Sequence, residues 1–241
     1  NKLVKIKKRY KNIKITKSSK DIIEDKDIDL IYIASHDKYH YEQVVNCLLN
    51  KKKIFVEKPI CQTLNQLKKI EKISLKNQLH IESNFVLNVN PLFNNLKKKI
   101  KKNKKNLYSI EADYLWGRPK KLSGWRAKDN KYSLILGGAI HMIDLVCWLL
   151  DDYPNSVYCC GNNVALKNTS FKKNSFYQMI LSFKNNLIVK ISVNSSSNTD
   201  HFHDLRIFDK NYSFFHNPLG TYTYMNKKKT KYIKGSYPDN K

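Results

Sequence analysis

From Ile28 to Ala34 the chain reads Ile-Asp-Leu-Ile-Tyr-Ile-Ala, an almost unbroken apolar stretch rich in β-branched residues. Such a run suits a strand covered on both faces, the setting of a parallel sheet. It stops at Ser35-His36-Asp37. Asp37 can cap a helix whose stripe is Tyr41, Val44, Val45, Leu48 and Leu49, closed by basic residues Lys51, Lys52 and Lys53 that suit a carboxyl end. A second strand, Ile54 to Glu57, follows at once, and Lys58-Pro59 ends it because proline cannot continue a ladder. Thr63 opens a second helix with Leu64, Leu67, Ile70 and Ile73 on one side, and His80 to Val86 reads as a third strand. Strand, helix, strand, helix, strand between residues 28 and 86 predicts a doubly wound parallel sheet.

Asn90-Pro91 breaks that pattern, and a basic helix from Leu92 to about Lys102 leads into longer, alternating strands. These are Tyr108 to Trp116, Ser156 to Asn162, Phe176 to Phe183, Leu187 to Val193 and Leu205 to Phe208. Turns such as Lys184-Asn185-Asn186 imply antiparallel pairing, and an apolar helix, Gly138 to Leu150, lies between the first two strands. The fold class expected is α/β: residues 1–86 form a partial parallel-sheet domain, and residues 87–241 an α+β domain with a large open, mainly antiparallel sheet.

A chain of 241 residues can bury about 70–75% of its unfolded surface, and 41% hydrophobic content with 15 Tyr and 10 Phe excludes disorder as the main state. The formal charge of +25 invites a polyanion partner, but only four of the 45 basic residues are Arg, the side chain that grips phosphates and base edges bidentately. Lys, Asn and Ile rise together, so no specific nucleic acid is expected. The five cysteines show no CxxC spacing, which fits a reducing cytoplasm, and no metal site is expected. Leu134 to Leu150 is short for a membrane span and carries His141 and Asp144, so it reads as a buried helix rather than a membrane segment.

Ligands of open parallel sheets bind beyond the carboxyl ends of the strands. Two clusters fall there: Ala34, Ser35, His36 and His40 after the first strand, and Glu57, Lys58 and Pro59 after the second. Parallel neighbours place both on one rim, although a solvated Lys58 like the other lysines is the equally simple reading. His141 sits in the first turn of an apolar helix after Gly137-Gly138, where a positive helix end keeps imidazole neutral and fit to accept a proton. Asp144, three residues on, favours the charged form instead. A histidine hydrogen-bonded within a core helix is the plainer alternative.

Tyr114, Trp116 and Arg118 alternate along one strand, and Trp125-Arg126 follows in a loop, where an arginine can hold a carboxylate, a phosphate or sugar hydroxyls. These five are the candidate substrate contacts, with ordinary packing the alternative for Tyr114 and Trp116. His201 and His203 alternate similarly, and packing is the favoured reading for both.

These residues resemble the Gfo/Idh/MocA family of nicotinamide-dependent oxidoreductases. The resemblance runs through Asp27 to Ser35, His40, Glu57-Lys58-Pro59, Asn84-Phe85, Pro91, Gly124-Trp125-Arg126 and Gly137-Gly138-Ala139-Ile140-His141-Met142-Ile143-Asp144. It implies a Rossmann-type domain, a second domain with an open sheet, and an active site in the cleft that joins them. By motif, Lys58 contacts the nicotinamide ribose and the reacting hydroxyl, and His141 accepts the proton as hydride passes to NAD or NADP. The cofactor-binding set is Ala34, Ser35, His36, His40, Glu57, Lys58 and Pro59; the catalytic set is Lys58, His141 and Asp144. The substrate expected is a sugar, a sugar derivative or a cyclic polyol, and identical chains are expected to assemble through the open sheet.

Three departures accompany the resemblance. The family's glycine-rich phosphate loop and first two strands are expected upstream of Asn1. The aspartate that many members carry four residues before the histidine is Gly137, and the family's Pro-Asn after the first strand is His36-Asp37. A non-catalytic sensor of the same fold and a basic polyanion-binding protein are the rival functions.

Overall fold

The computed structural model describes residues 2–233 and divides into two compact units, Asn1–Asn84 and Phe85–Lys241. In the first, helices α1 (Lys2–Arg9) and α2 (Ser19–Ile23) precede β1 (Leu30–Ile33), α3 (Asp37–Leu49), β2 (Lys53–Val56), α4 (Leu64–Asn77) and β3 (Ile81–Ser83). The strands are parallel in the order β1-β2-β3, with Ile33 opposite Val56 and Val56 opposite Ser83. Val44, Cys47 and Leu48 of α3 and Ile70 of α4 pack with Ile31, Ile33, Ile54 and Val56 into one core.

The sheet is covered on one face rather than two. Leu30 and Tyr32 are 60% and 54% exposed, because successive strand side chains point to opposite faces and α3 and α4 lie together on the side of Ile31 and Ile33. Doubly wound layering is therefore not realised among the described residues. The third strand is also shorter than expected: after Ser83 the chain turns, with the Asn88 and Asn90 amides donating to the carbonyls of Phe85 (3.2 Å) and Leu87 (3.1 Å). His36 rather than Asp37 holds the cap position of α3. Thr63 does cap α4, in a reciprocal capping box with Gln66, yet Leu64 and Leu67 of its apolar stripe are exposed. Lys52 is buried, and its ammonium donates to the carbonyls of Asp25 (2.5 Å) and Ile28 (2.8 Å), tying the entry to β1 against the exit of α3.

The second unit contains α5 (Pro91–Asn103), β4 (Leu107–Leu115), α6 (Trp125–Lys128), α7 (Ile140–Leu150), β5 (Ser156–Asn162), β6 (Phe176–Ser182), β7 (Ile188–Asn194), β8 (Phe202–Asp209), β9 (Ser213–Asn217), β10 (Gly220–Met225) and β11 (Lys228–Ile233). The sheet order is β11-β10-β9-β8-β4-β7-β6-β5, antiparallel throughout except for the pair β4 and β7. Ile110, Ala112 and Tyr114 of β4 enter the core with Met142, Leu145, Val146 and Leu149 of α7. The opposite face carries ion pairs, Lys190 to Asp113 at 2.8 Å and Arg206 to Glu111 at 3.2 Å. Strands β9 to β11 lie beyond the last strand expected; the alternation Thr221-Tyr222-Thr223-Tyr224 is their sequence signal. Among the described residues no helix is long and apolar enough to cross a membrane, and Leu134 to Leu150 packs in this core.

His216 on β9 is buried, its Nδ1 2.7 Å from the Thr221 hydroxyl and its ring against Phe93 and Phe202. Burial pushes its pKa down from 6.5 to about 4. The folded state resists a proton that the unfolded chain accepts, so stability is retained above about pH 6.5 and lost as pH falls toward 4. The expected loss is about 3 kcal/mol, read from denaturant unfolding across that window against His216→Gln; equal slopes in the two proteins would mean that water reaches the imidazole.

Candidate active site

Because Ile33 and Val56 are register partners, Ala34 and Glu57 leave the sheet side by side, and the Glu57 amide donates to the Ile33 carbonyl at 2.8 Å. Ser35, half-buried, donates its hydroxyl to Gln43 Oε1 at 2.7 Å, while Ala34 and His36 are exposed. Glu57 is engaged on the sheet side: the Tyr32 hydroxyl (2.5 Å) and the Asn84 amide (2.8 Å) both donate to its Oε1. That bond to a carboxylate, with some burial, raises the Tyr32 phenol above its ordinary pKa. Lys58 is half-buried and precedes Pro59 through a cis peptide.

His40 differs from expectation. It is 1% exposed, with Nδ1 2.7 Å from the Pro59 carbonyl and Nε2 3.0 Å from the Ser35 carbonyl. Both nitrogens are turned to main chain, and a neutral ring can donate to only one of these oxygens. His40 therefore joins the loop after β1 to the loop after β2 instead of offering a nitrogen to a ligand.

In the second unit, helical backbone begins before His141. A single π-helical turn, Ile135–Ala139, runs directly into α7. The positive end of the combined helix lies near Ile135, whose amide donates to the Ser133 hydroxyl at 3.1 Å, so the first-turn dipole argument for His141 fails. Such π turns recur at functional sites because the extra residue changes which side chains share a face. Here the two glycines allow close packing: a Cβ on Gly138 would lie 2.9 Å from Val193 and 3.2 Å from the Tyr114 ring.

His141, half-buried, meets Phe85 edge-on at 6.4 Å, Tyr114 at 5.8 Å and His203 at 5.6 Å between ring centroids. His203 stacks flat on Tyr114 at 4.4 Å, and the Tyr114 hydroxyl is hydrogen-bonded to His201 Nε2 at 2.8 Å. Tyr114, His141, His201 and His203 thus form one cluster, and the alternation of the last two in sequence was the signal for it. Asp144 receives a hydrogen bond from Asn88 at 2.8 Å; burial raises its pKa, against the opposing effects of that bond and of Lys97.

Trp116, 6% exposed, belongs to the core. Arg118 lies just past β4, and Trp125-Arg126 starts the short helix α6 rather than lying in a loop. The Arg126 guanidinium covers the Trp125 ring at 4.3 Å and donates to the Lys121 carbonyl at 3.1 Å. Among the described residues no group of His, Cys, Asp or Glu could hold a metal.

Comparison with known proteins gives matches to both halves in order. The family model described as an oxidoreductase family with an NAD-binding Rossmann fold matches residues 4–85, and that of the GFO/IDH/MocA C-terminal domain matches residues 103–211. An oxidoreductase of Streptococcus pneumoniae is 22% identical over 160 residues, 66% of this chain and 44% of its own length. Inositol 2-dehydrogenase of Rubrobacter xylanophilus is 25% identical over 155 residues, 61% and 41% respectively. The chain therefore spans less than half the length of these two relatives. The solved structure of levoglucosan dehydrogenase in complex with NADH and levoglucosan superposes with a TM-score of 0.82 at 16% identity, covering 96% of this chain and 68% of that one, a likeness of fold. With both family domains present in sequence and their architecture in the fold, the chain belongs to the Gfo/Idh/MocA oxidoreductase family.

Proposed function

We propose that the protein is an NAD(P)-dependent dehydrogenase or reductase acting on a hydroxyl or keto carbon of a sugar, sugar derivative or cyclic polyol. The observation that carries this reading is the rim of the first unit, where two adjacent parallel strands end together at Ser35 and at Glu57-Lys58-Pro59. The names of the relatives, inositol and levoglucosan dehydrogenases, support the substrate class.

The described residues suit the nicotinamide end of such a cofactor. Ser35 and Lys58 are half-buried polar groups on that rim, with Ala34, His36 and Pro59 around them, and Glu57 and His40 hold the two loops in register. The first glycine of the chain is Gly117, so a glycine-rich phosphate turn does not lie among residues 1–116. When bound, the nicotinamide supplies the hydride acceptor or donor. The Lys58 ammonium orients the reacting oxygen and stabilises negative charge that develops on it. His141 takes the hydroxyl proton, and Asp144, through Asn88, fixes the start of α7. Tyr114, Trp116, Arg118, Trp125 and Arg126 are assigned to the substrate side, with Tyr114 and Trp116 acting from within the core. Tyr158, Ile180 and Ile188, exposed on the sheet face opposite α7, support assembly of identical chains through that face.

The test is turnover with NAD and NADP against a panel of polyols and sugars. Reduction of at least one dinucleotide by a cyclic polyol or sugar is the expected result. Binding of DNA that falls steeply with salt, with indifference to both dinucleotides, would defeat the proposal.

A further inference from the structure

The eight-stranded sheet ends in two edges that the chain treats differently. At one end β11 presents exposed Lys228 and Lys229, and the ladder joining it to β10 slips between Thr223 and Tyr224. Lysines and a bulge are ordinary means of keeping an edge strand from pairing with another chain. At the other end β5, Ser-Val-Tyr-Cys-Cys-Gly-Asn, has neither. All seven of its residues are exposed, Val157 at 62% and Tyr158 at 71%, and its register with β6 is unbroken from Ser156 to Asn162. No residue from Tyr153 to Leu166 is charged, in a chain with a formal charge of +25. Two molecules of like charge approach most easily where neither presents a cation.

The strand also fixes how a second copy joins it. A two-fold axis that brings edge to edge stands perpendicular to the sheet, so each side chain stays on its own face and one residue lies on the axis opposite its own copy. Overlap of all seven residues puts Cys159 there, with Tyr158 opposite Cys160 and Val157 opposite Gly161 of the second copy. Met179 and Leu181, the β6 partners of Cys159 and Val157, lie in the core with α7. Cys159 therefore stands on the α7 side of the sheet, away from the face that Tyr158 and Ile180 share.

We propose that β5 is an interaction surface for a second copy of this chain, separate from the open face: it pairs antiparallel with its own copy about a two-fold axis at Cys159 and continues the sheet from one molecule into the next. Seven paired residues form about six to eight main-chain hydrogen bonds. The two Cys159 residues then stand on one face with their Cα atoms about 4.5–5.5 Å apart, within the span of a disulfide. Cys160, on the other face, meets Tyr158 instead of its own copy.

In sedimentation under reducing conditions the full chain is expected to self-associate as its concentration rises about a hundredfold. Cys159→Lys sets two cations against each other on the axis and is expected to weaken that association about tenfold, with unfolding by denaturant unchanged because the residue is exposed. With the thiol oxidant diamide, wild type and Cys160→Ser are expected to give a covalent dimer whose disulfide joins Cys159 to Cys159, and Cys159→Ser to give little. Ile188→Lys charges the open face and leaves β5 untouched, so it is expected to keep the cross-link, which tells edge pairing apart from assembly through that face. A wild type that stays monomeric, an association unchanged by Cys159→Lys, or cross-linking carried equally by Cys160 would overturn the inference.

Discussion

Replacing Lys58 by alanine is expected to lower kcat/KM by about 10²–10³-fold, the cost of removing one preorganised donor aimed at a developing oxyanion. Folding should stay within about 0.5 kcal/mol of wild type, because Lys58 lies two residues past the end of β2 and the strand's own ladder bonds do not involve its side chain. Lys58→Arg is expected to recover little. A planar guanidinium spreads its charge over a fork and cannot place one donor where a compact ammonium stands. The measurement is steady-state kinetics at saturating dinucleotide, with denaturant unfolding alongside. Activity of Lys58→Ala within a few-fold of wild type would return this residue to the solvated lysines. Lys51 and Lys53, exposed where Lys58 is half-buried, sit at the opposite end of β2 and should be replaceable without kinetic effect.

The framework of both units could be read from the chain because it rests on local physics. Period-3.6 apolar spacing gave α3, Thr63 gave the start of α4, and alternation gave β4 to β8. What escaped depends on neighbours distant in sequence. Leu30 and Tyr32 look like core residues in the run from 28 to 34, yet they face water because the helices α3 and α4 pack on the other side. His40 looks like a ligand contact until both its nitrogens are seen on the carbonyls of Ser35 and Pro59. The π turn before His141 has no signature in composition beyond the paired glycines, and what makes them necessary, Tyr132 on one side and Tyr114 with Val193 on the other, comes from separate segments. The candidate catalytic positions were thus visible, whereas the residues that hold them in place were not.

His141→Asn is expected to reduce kcat by about 10²–10⁴-fold, the usual contribution of a positioned acid or base. The rise of rate with pH that accompanies deprotonation of the base should vanish, since the amide of asparagine does not titrate. The sign follows from the direction of reaction: in oxidation of a hydroxyl the neutral imidazole is the active form, so the wild type loses activity as pH falls through the His141 pKa and the variant does not. Asparagine retains hydrogen-bonding capacity on a half-buried helix face, so packing against Phe85 and Tyr114 is only partly lost and α7 remains held by Met142, Leu145, Val146 and Leu149. A structural histidine would behave in the opposite way: the substitution would lower stability and leave the pH–rate profile unchanged. Kinetics at several pH values, set beside an unfolding curve for the same variant, therefore distinguish a proton acceptor from a core residue.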